Sequence, residues 1–367
     1  MDKSAIIYPV TYKQLPIVAL NKKYYPERNL IPLLSKAYCN IDSDISILDN
    51  RDNLGISSHS DLSRHLDDAR NVLITPGTGS LDSLKLSLAG IKIATAAGKN
   101  VIGLFSETET KMLSSMAEGI FTGISKPVSR IMDAFKQQSY EPLLYEPSIP
   151  IIGVGSVFGY AHQSEITAQI ALELKCRGYN ATAITNSKGF CCLNFFPMPD
   201  ALYDNSLPIV EKTLMINHYI RYVIESSNCE LLVMEIPGGL ARYNQRILND
   251  LGQYAFIISE AISVDWFLCC TTCNDLHYEL YSHLAQHFSN KFDLDVFCWH
   301  VSNSFIDLEA LTHEQGERMI FKPQKQVYNT ICRLQSEAKS PDIKFYNLQN
   351  QSQLQIIIDL LLNQLVA

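Results

Sequence analysis

Glu235 closes the apolar run Leu231–Met234, and Gly238-Gly239 begins three residues later, in the string LLVMEIPGGL. A carboxylate at the carboxyl tip of a buried strand can ligate or organise Mg²⁺, and glycines just beyond it let the chain approach a γ-phosphate or substrate closely. Earlier, Gly153, Gly155 and Gly159 punctuate GVGSVFGYAHQS, which ends in Ser164. Bare backbone N–H groups in such a glycine loop, together with the dipole of the helix behind it, hold phosphate. A P-loop ends in Gly-Lys-Ser/Thr, whereas the best register here gives His162-Gln163-Ser164. The hydroxyl that reaches Mg²⁺ survives as Ser164, and the lysine does not. The expected chemistry is binding of ATP or GTP with Mg²⁺. Gly153, Gly155, Ser156, Gly159, Gln163, Ser164, Gly238 and Gly239 would form the cofactor site, with Ser164 and Glu235 at the metal. Two cations are candidates for the missing charge: Lys188, shortly after the next strand, and Arg242, just beyond the glycine pair, where a solvated arginine is an equal reading. If the site turns over, Glu235 is the catalytic candidate, organising Mg²⁺-assisted phosphoryl transfer at a poor rate without the lysine.

Elements of known spacing must position these groups. Ile149–Val154 reads as a fully buried parallel strand, Ser164–Arg177 as a helix that Gly178 caps, and Ala181–Thr185 as the next strand. The first half alternates in the same way. Strands are expected at Ala5–Val10, Ile45–Leu48, Asn71–Thr75 and Val101–Phe105. Helices are expected at Asp61–Ala69, Leu81–Ala97, Thr110–Ile120 and Val128–Gln137. In the second half, helices at Ile209–Ser227, Arg246–Ser263 and Leu276–Phe288 alternate with strands at Cys229–Ile236, Phe267–Thr271 and Val296–Val301. A last helix spans Gln353–Val366. Short apolar strands separated by helices imply parallel, helix-covered sheets. The fold class expected is therefore α/β with two parallel-sheet domains, the first Rossmann-like and the second P-loop-like but degenerate at its loop. Residues 1–140 form the first domain, the proline-bearing stretch 141–150 a linker, 151–315 the second domain and 316–367 a helical tail.

At 367 residues the chain suits two domains, each able to bury a core. A net charge of −8 argues against non-specific nucleic-acid binding, which needs clustered lysine and arginine. The start MDKSAIIYPV lacks a signal-peptide layout, and no apolar run approaches the ~20 residues of a membrane span, so a cytoplasmic protein is expected. Ten cysteines then read as reduced thiols, mostly buried small hydrophobes. Cys191-Cys192 and the Cys-x-x-Cys of Cys270 and Cys273 leave two other readings open, a metal site and disulfide exchange with a Cys-rich peptide. His283 and His287 share a helix face at i, i+4 spacing. The turn Thr75-Pro76-Gly77-Thr78-Gly79-Ser80 is a small anion-binding turn or a plain connection.

The strand, glycine loop, helix, LKCRGYNATAITNS segment and LLVMEIPGGL resemble, over Ile149–Cys273, the dethiobiotin-synthetase and MinD type of P-loop proteins. Over nearly the whole chain, AIIYPVTYKQLPIV, GKNVIGL, the loop helix and MEIPGGLARYNQRILNDLGQYAFIISEAI resemble the clostridial peptide maturation system proteins. That resemblance implies a role beside radical-SAM maturases and Cys-rich precursor peptides of natural-product clusters. It also implies a site edge at Glu235, Pro237, Gly238, Gly239, Tyr243 and Asn244. The expected function is accordingly an accessory, nucleotide-binding protein in maturation of ribosomally made peptides, with a homo-oligomer possible. The alternative is a pseudo-NTPase scaffold that holds a precursor peptide or maturation enzyme without hydrolysis, favoured by His162-Gln163 in the Gly-Lys position. A dinucleotide oxidoreductase is a weaker third reading, because no G-x-G-x-x-G with a downstream acid follows the first strand.

Overall fold

The computed structural model describes residues 4–34, 43–140, 142–159, 161–243, 249–307, 319–338 and 343–365. The chain is α/β and forms two compact units, each built on a parallel sheet. The first comprises Met1–Leu48, Asp52–Ser139 and Ser187–Asp200; the second comprises Asp49–Arg51, Tyr140–Asn186 and Ala201–Ala367.

In the first unit, β1 (Ser4–Val10), β2 (Asn29–Leu34), β3 (Asn71–Ile74) and β4 (Asn100–Gly103) pair in the order β2-β1-β3-β4, all parallel. Around them lie α1 (Leu15–Tyr24), the one-turn α2 (Leu62–His65), α3 (Leu81–Ala96), α4 (Glu107–Met116) and α5 (Pro127–Lys136). Ile6, Leu33, Val72, Ile74, Leu84, Ile91 and Val101 share its core. β2 carries Pro32, tolerated because β2 is an edge strand. That proline hides the strand from pattern reading, and α1, with seven of its ten residues buried, shows no clean amphipathic stripe. Ser80 caps α3 by accepting from the Ser83 amide, so the Thr75–Ser80 turn is a helix entry. The Lys13 ammonium donates to the Thr78 carbonyl within it at 2.9 Å.

Ile45–Leu48 is a 3₁₀ turn and not the expected strand. Asp44 dictates this: its carboxylate accepts from the amides of Ser46, Leu54 and Ile56, which bends the chain where an extended strand would run straight. Asp61–Ala69 is likewise broken into α2 and a 3₁₀ turn.

In the second unit the strands are β5 (Ile151–Ser156), β6 (Ala181–Thr185), β8 (Leu231–Glu235), β9 (Trp266–Thr271), β10 (Val296–Val301) and β13 (Phe345–Tyr346). The short β7 (Phe196–Pro197) lies in the Ser187–Asp200 segment of the first unit. The second unit's strands lie in the order β13-β10-β9-β5-β8-β6, every pairing parallel. Its helices are α6 (Gln163–Cys176), α7 (Ile209–Ser227), α8 (Gln253–Ala261), α9 (Tyr278–Phe292), α10 (Gln324–Glu337) and α11 (Gln351–Leu365). An antiparallel pair, β11 (Ser304–Ile306) and β12 (Met319–Phe321), completes it. Beyond residue 316 the chain is therefore more than helix, since β13 adds to the sheet beside β10. Arg246–Ser263 is described from residue 249 onward and is helical only as α8; its first residues, with Asn244 and Tyr160, lie outside the described residues.

β5 comes first in this sheet by sequence yet sits inside it, with β8 and β6 on one side and β9, β10 and β13 on the other. The winding direction reverses at β5, and in open α/β sheets that reversal leaves a crevice outside the carboxyl ends of the strands. The loop after β5 and the tip of β8 both fall there.

Candidate functional site

β5 and β8 are neighbours in register, Val154 opposite Glu235. Glu235 is 1% exposed. Its Oε2 accepts from the Ser164 hydroxyl at 2.6 Å and from the Asn186 amide, just past β6, at 2.6 Å. The structure thus brings together the two residues assigned to the metal from sequence, although 71 positions separate them. Asn186 went unnoticed in the sequence because a backbone amide carries no residue-type signal; its side-chain oxygen accepts from the Tyr203 hydroxyl at 2.7 Å.

The two earlier glycines of the expected loop are strand residues. β5 runs through Gly153 and Gly155 to Ser156, and neither glycine has a left-handed backbone. A Cβ on Gly153 would stand 2.9 Å from Val264, and one on Gly155 2.9 Å from the Phe267 ring. Their missing side chains therefore make room for neighbours. Only Gly159 adopts a left-handed conformation, at φ +80°, with open space where a Cβ would be. Ser156 is fully buried and its Oγ accepts from the Gly159 amide at 3.1 Å, closing a tight turn. Gln163 accepts from the Ala161 amide through Oε1 at 3.2 Å. The loop proper is therefore Ser156–Ser164, ending in the first turn of α6. That turn leaves its N–H groups without intrahelical acceptors.

The glycine pair after β8 braces this loop. Leu240 and Ala241 donate their amides to the carbonyls of Ser156 and Val157 at 3.0 and 2.9 Å. A Cβ on Gly239 would press on the Phe158 backbone at 3.0 Å, and Gly238 takes φ +78° beside Asp250. Tyr243 packs on Phe158, ring centroids 5.7 Å apart. Arg242 is exposed and, among the described residues, forms no ion pair. Lys188 belongs to the first unit, where its ammonium pairs with Asp200 at 2.9 Å and donates to the Met198 carbonyl. The charge proposed for the loop is thus already matched by an aspartate twelve positions on.

His162, in the register of the glycine that precedes the lysine, opens α6 from a left-handed conformation, φ +60°. Its Nδ1 lies 3.2 Å from Glu165 Oε2 and its Nε2 3.0 Å from Asn303 Oδ1. Asn303 is oriented by its Nδ2, which donates to the Asp49 carbonyl, so the imidazole meets an acceptor at each nitrogen. Glu165 takes a bidentate pair from Arg51, at 2.7 and 3.0 Å, and a further bond from the Gln349 amide at 3.0 Å. Arg51 also grips Asp49, Nη2 to Oδ2 at 2.6 Å. Burial works to raise the Glu165 carboxyl, but the Arg51 guanidinium and then the His162 ring outweigh it and hold it well below the usual carboxylate range. Burial pushes His300 down to about 3, with His162 adding to the shift. Arg51 and Asn303 went unrecognised in the sequence because no local pattern connects them to a helix 114 and 141 residues away. The one available signal was His162-Gln163 standing where Gly-Lys belongs.

Cys192, Cys229, Cys269, Cys270, Cys273 and Cys298 are buried, whereas Cys176 and Cys332 are exposed. Burial raises Cys191 and Cys192 to about 12 and lifts Cys269 and Cys270 well above the ordinary thiol. Cys273 lies 3.4 Å from the Thr330 hydroxyl. His287 packs against Phe288 and Phe292. Among the described residues no group of three or more His, Cys, Asp and Glu side chains is placed to hold a metal. The oxygen donors of Ser164 and Glu235 suit a different arrangement, in which Mg²⁺ takes one carboxylate and fills its other positions with water and substrate phosphate.

No protein-family model matches this chain, and no curated protein matches it. Solved structures do. A DUF1611 family protein from Anabaena variabilis ATCC 29413 superposes over 97% of this chain and 97% of its own, with a TM-score of 0.55 at 12% identity. That likeness is one of fold. FlhF complexed with GMPPNP and Mg²⁺ matches 67% of this chain and 87% of its own at 13% identity and a TM-score of 0.30. The signal recognition particle receptor FtsY of Elizabethkingia anophelis, in complex with GDP, matches 65% and 74% at 10% identity and a TM-score of 0.29. No helix among the described residues is long and apolar enough to cross a membrane.

Proposed function

We propose that the second unit binds a nucleoside triphosphate with Mg²⁺ in the crevice at β5, and that the chain serves as an accessory protein in maturation of a ribosomally made peptide. The observation that carries the nucleotide reading is the 2.6 Å bond between Ser164 and Glu235. It joins the first turn of a loop-borne helix to an acid on the adjacent strand tip, where the sheet reverses. The Gln163–Glu165 amides and the α6 dipole would face the phosphates. Ser164 and Glu235 would hold the metal, which when bound neutralises phosphate charge and polarises the transferred group. The peptide-maturation part rests on the sequence resemblance, and its partners would be a Cys-rich precursor peptide and a radical-SAM maturase.

The test is calorimetric titration of the full chain with non-hydrolysable ATP and GTP analogues, with and without Mg²⁺, repeated on Glu235→Gln. Magnesium-dependent binding by the natural chain, with that dependence lost in the variant, is expected. Unchanged metal dependence in Glu235→Gln would defeat the assignment. A second reading, a scaffold without hydrolysis, is favoured by one observation: His162 is already engaged by Glu165 and Asn303. It predicts association with the precursor peptide and no phosphate release.

A further inference from the structure

Beneath the first turn of α6 lies a charged cluster that the Ser164–Glu235 pair does not use. Asp49 is fully buried, and the side chains of Arg51, His162 and Glu165 are 9%, 7% and 4% exposed. Placing four ionisable groups out of water is costly, and removing one partner from such a set leaves an uncompensated buried charge. Two carboxylates here share one guanidinium, and Glu165 completes its shell with His162 and Gln349.

The position of Glu165 gives the cluster its meaning. Glu165 is the third residue of α6, and a carboxylate there is attracted to the unpaired amides of the helix start, the same donors a phosphate would use. Arg51 occupies both of its oxygens in a fork-to-fork pair, a geometry a lysine cannot reproduce. The Glu165 carboxylate is thereby turned to Arg51, and its second oxygen steers the His162 ring.

We infer that Arg51 is a positioning residue of the glycine loop: by holding Glu165 it keeps the amides of the α6 start available to an anion and fixes His162 at the turn that opens the helix. The anion clause rests on the nucleotide reading above, and the loop-ordering clause stands apart from it. Asp49, Asn303 and Gln349 belong to the same frame, and Asn50 pins the tripeptide by donating to the Phe321 carbonyl at 2.7 Å.

Two readouts on the full chain test this. One is hydrogen exchange of the segment from Gly159 to Ile166 without ligand, and the other is affinity for Mg²⁺ with a non-hydrolysable ATP or GTP analogue. Arg51→Met is expected to speed exchange in that segment and weaken binding about tenfold, the scale of a charge competing at a helix start. Arg51→Met combined with Glu165→Gln removes the competing carboxylate and is expected to recover most of that affinity. Because Glu165→Gln also removes a buried charge left uncompensated, thermal unfolding of both variants is measured alongside, and affinity recovered per folded molecule is what marks a positioning role rather than a structural one. Arg51→Lys covers the case in which Arg51→Met does not fold: a point charge replaces the fork, and faster exchange with a smaller affinity loss is expected. The proposal is overturned if a folded Arg51→Met, or Arg51→Lys in its place, matches the natural chain in both readouts, or if the double variant binds no better than the single one. If the natural chain binds neither analogue, the nucleotide reading falls, and unchanged exchange in the arginine variants would separately sink the loop-ordering claim.

Discussion

Replacing Gly155 by alanine separates a glycine that serves phosphate from one that serves packing. The new Cβ would stand 2.9 and 3.0 Å from Phe267 Cε2 and Cζ and 3.2 Å from Leu240 Cδ1. Carbon atoms rest at ~3.5–4.0 Å, so the ring must yield by about 0.6 Å or more. Phe267 has little room to move: it is 1% exposed and stands edge-on to Phe288, centroids 6.5 Å apart. Overpacking of this kind costs about 1–3 kcal/mol. Because Gly155 lies in ordinary strand conformation, alanine also restricts the unfolded chain, which returns about 0.4–1 kcal/mol. The net expectation is a loss of roughly 1–2 kcal/mol, or about 2–8 °C in the melting temperature of a unit this size. Thermal and urea unfolding measure it, and Phe267→Leu in the same chain should relieve part of the loss, a coupling that a double-mutant cycle reads directly. A Gly155→Ala protein with natural stability and no Mg²⁺-nucleotide binding would refute the packing argument and return Gly155 to the phosphate.

Two other outcomes follow from the burial of titratable groups. Under native conditions a thiol reagent should label the exposed Cys176 and Cys332 quickly, while Cys191, Cys192, Cys269 and Cys270, whose thiolates burial disfavours, react only as the protein opens; mass spectrometry of a time course reads the order, and early labelling of Cys270 would count against the packing role. His300 is held neutral down to about 3 when folded, whereas an unfolded histidine protonates near ~6.5. The unfolded state thus binds the extra proton in that window, and stability should fall as pH drops from 6.5 toward 3, with His300 contributing a slope of up to about 1.4 kcal/mol per pH unit. Denaturant midpoints between pH 7 and 4 should therefore slope less steeply in His300→Asn, and an unchanged slope would show that His300 is not the group responsible.

The alternation of strands and helices was legible because parallel, buried strands read as short apolar runs, and β5, β6, β8, β9 and β10 each carried that mark. So was the closeness of Ser164 and Glu235, since both sit at strand or helix ends that a parallel sheet brings to one edge. What sequence could not show was where a glycine's missing side chain points. Gly153 and Gly155 look like loop glycines in letters and prove to be strand residues beside Val264 and Phe267. Nor could it show that Ile45–Leu48 bends, because the decision rests with the carboxylate of Asp44 reaching three amides. Lys188 had the right sign and the wrong obligations: Asp200 holds it. Arg51 was silent because a long-range ion pair leaves no periodicity behind.

The route of the backbone has a consequence for biosynthesis and for anyone who would cut the protein. The chain enters the second unit for only Asp49–Arg51, leaves it, enters again at Tyr140, and returns to the first unit for Ser187–Asp200 before its final stretch. The first unit therefore cannot be completed on the ribosome until Asp200 has emerged, by which time the residues of β5, α6 and β6 of the second have been synthesised. Gly189 lies against the tip of the Ile17 side chain of α1, which a Cβ there would have to displace. A truncation at residue 140 would leave α1 without that cover and strand Arg51 without Glu165. A single cut at residue 140 therefore does not divide the chain into its two units.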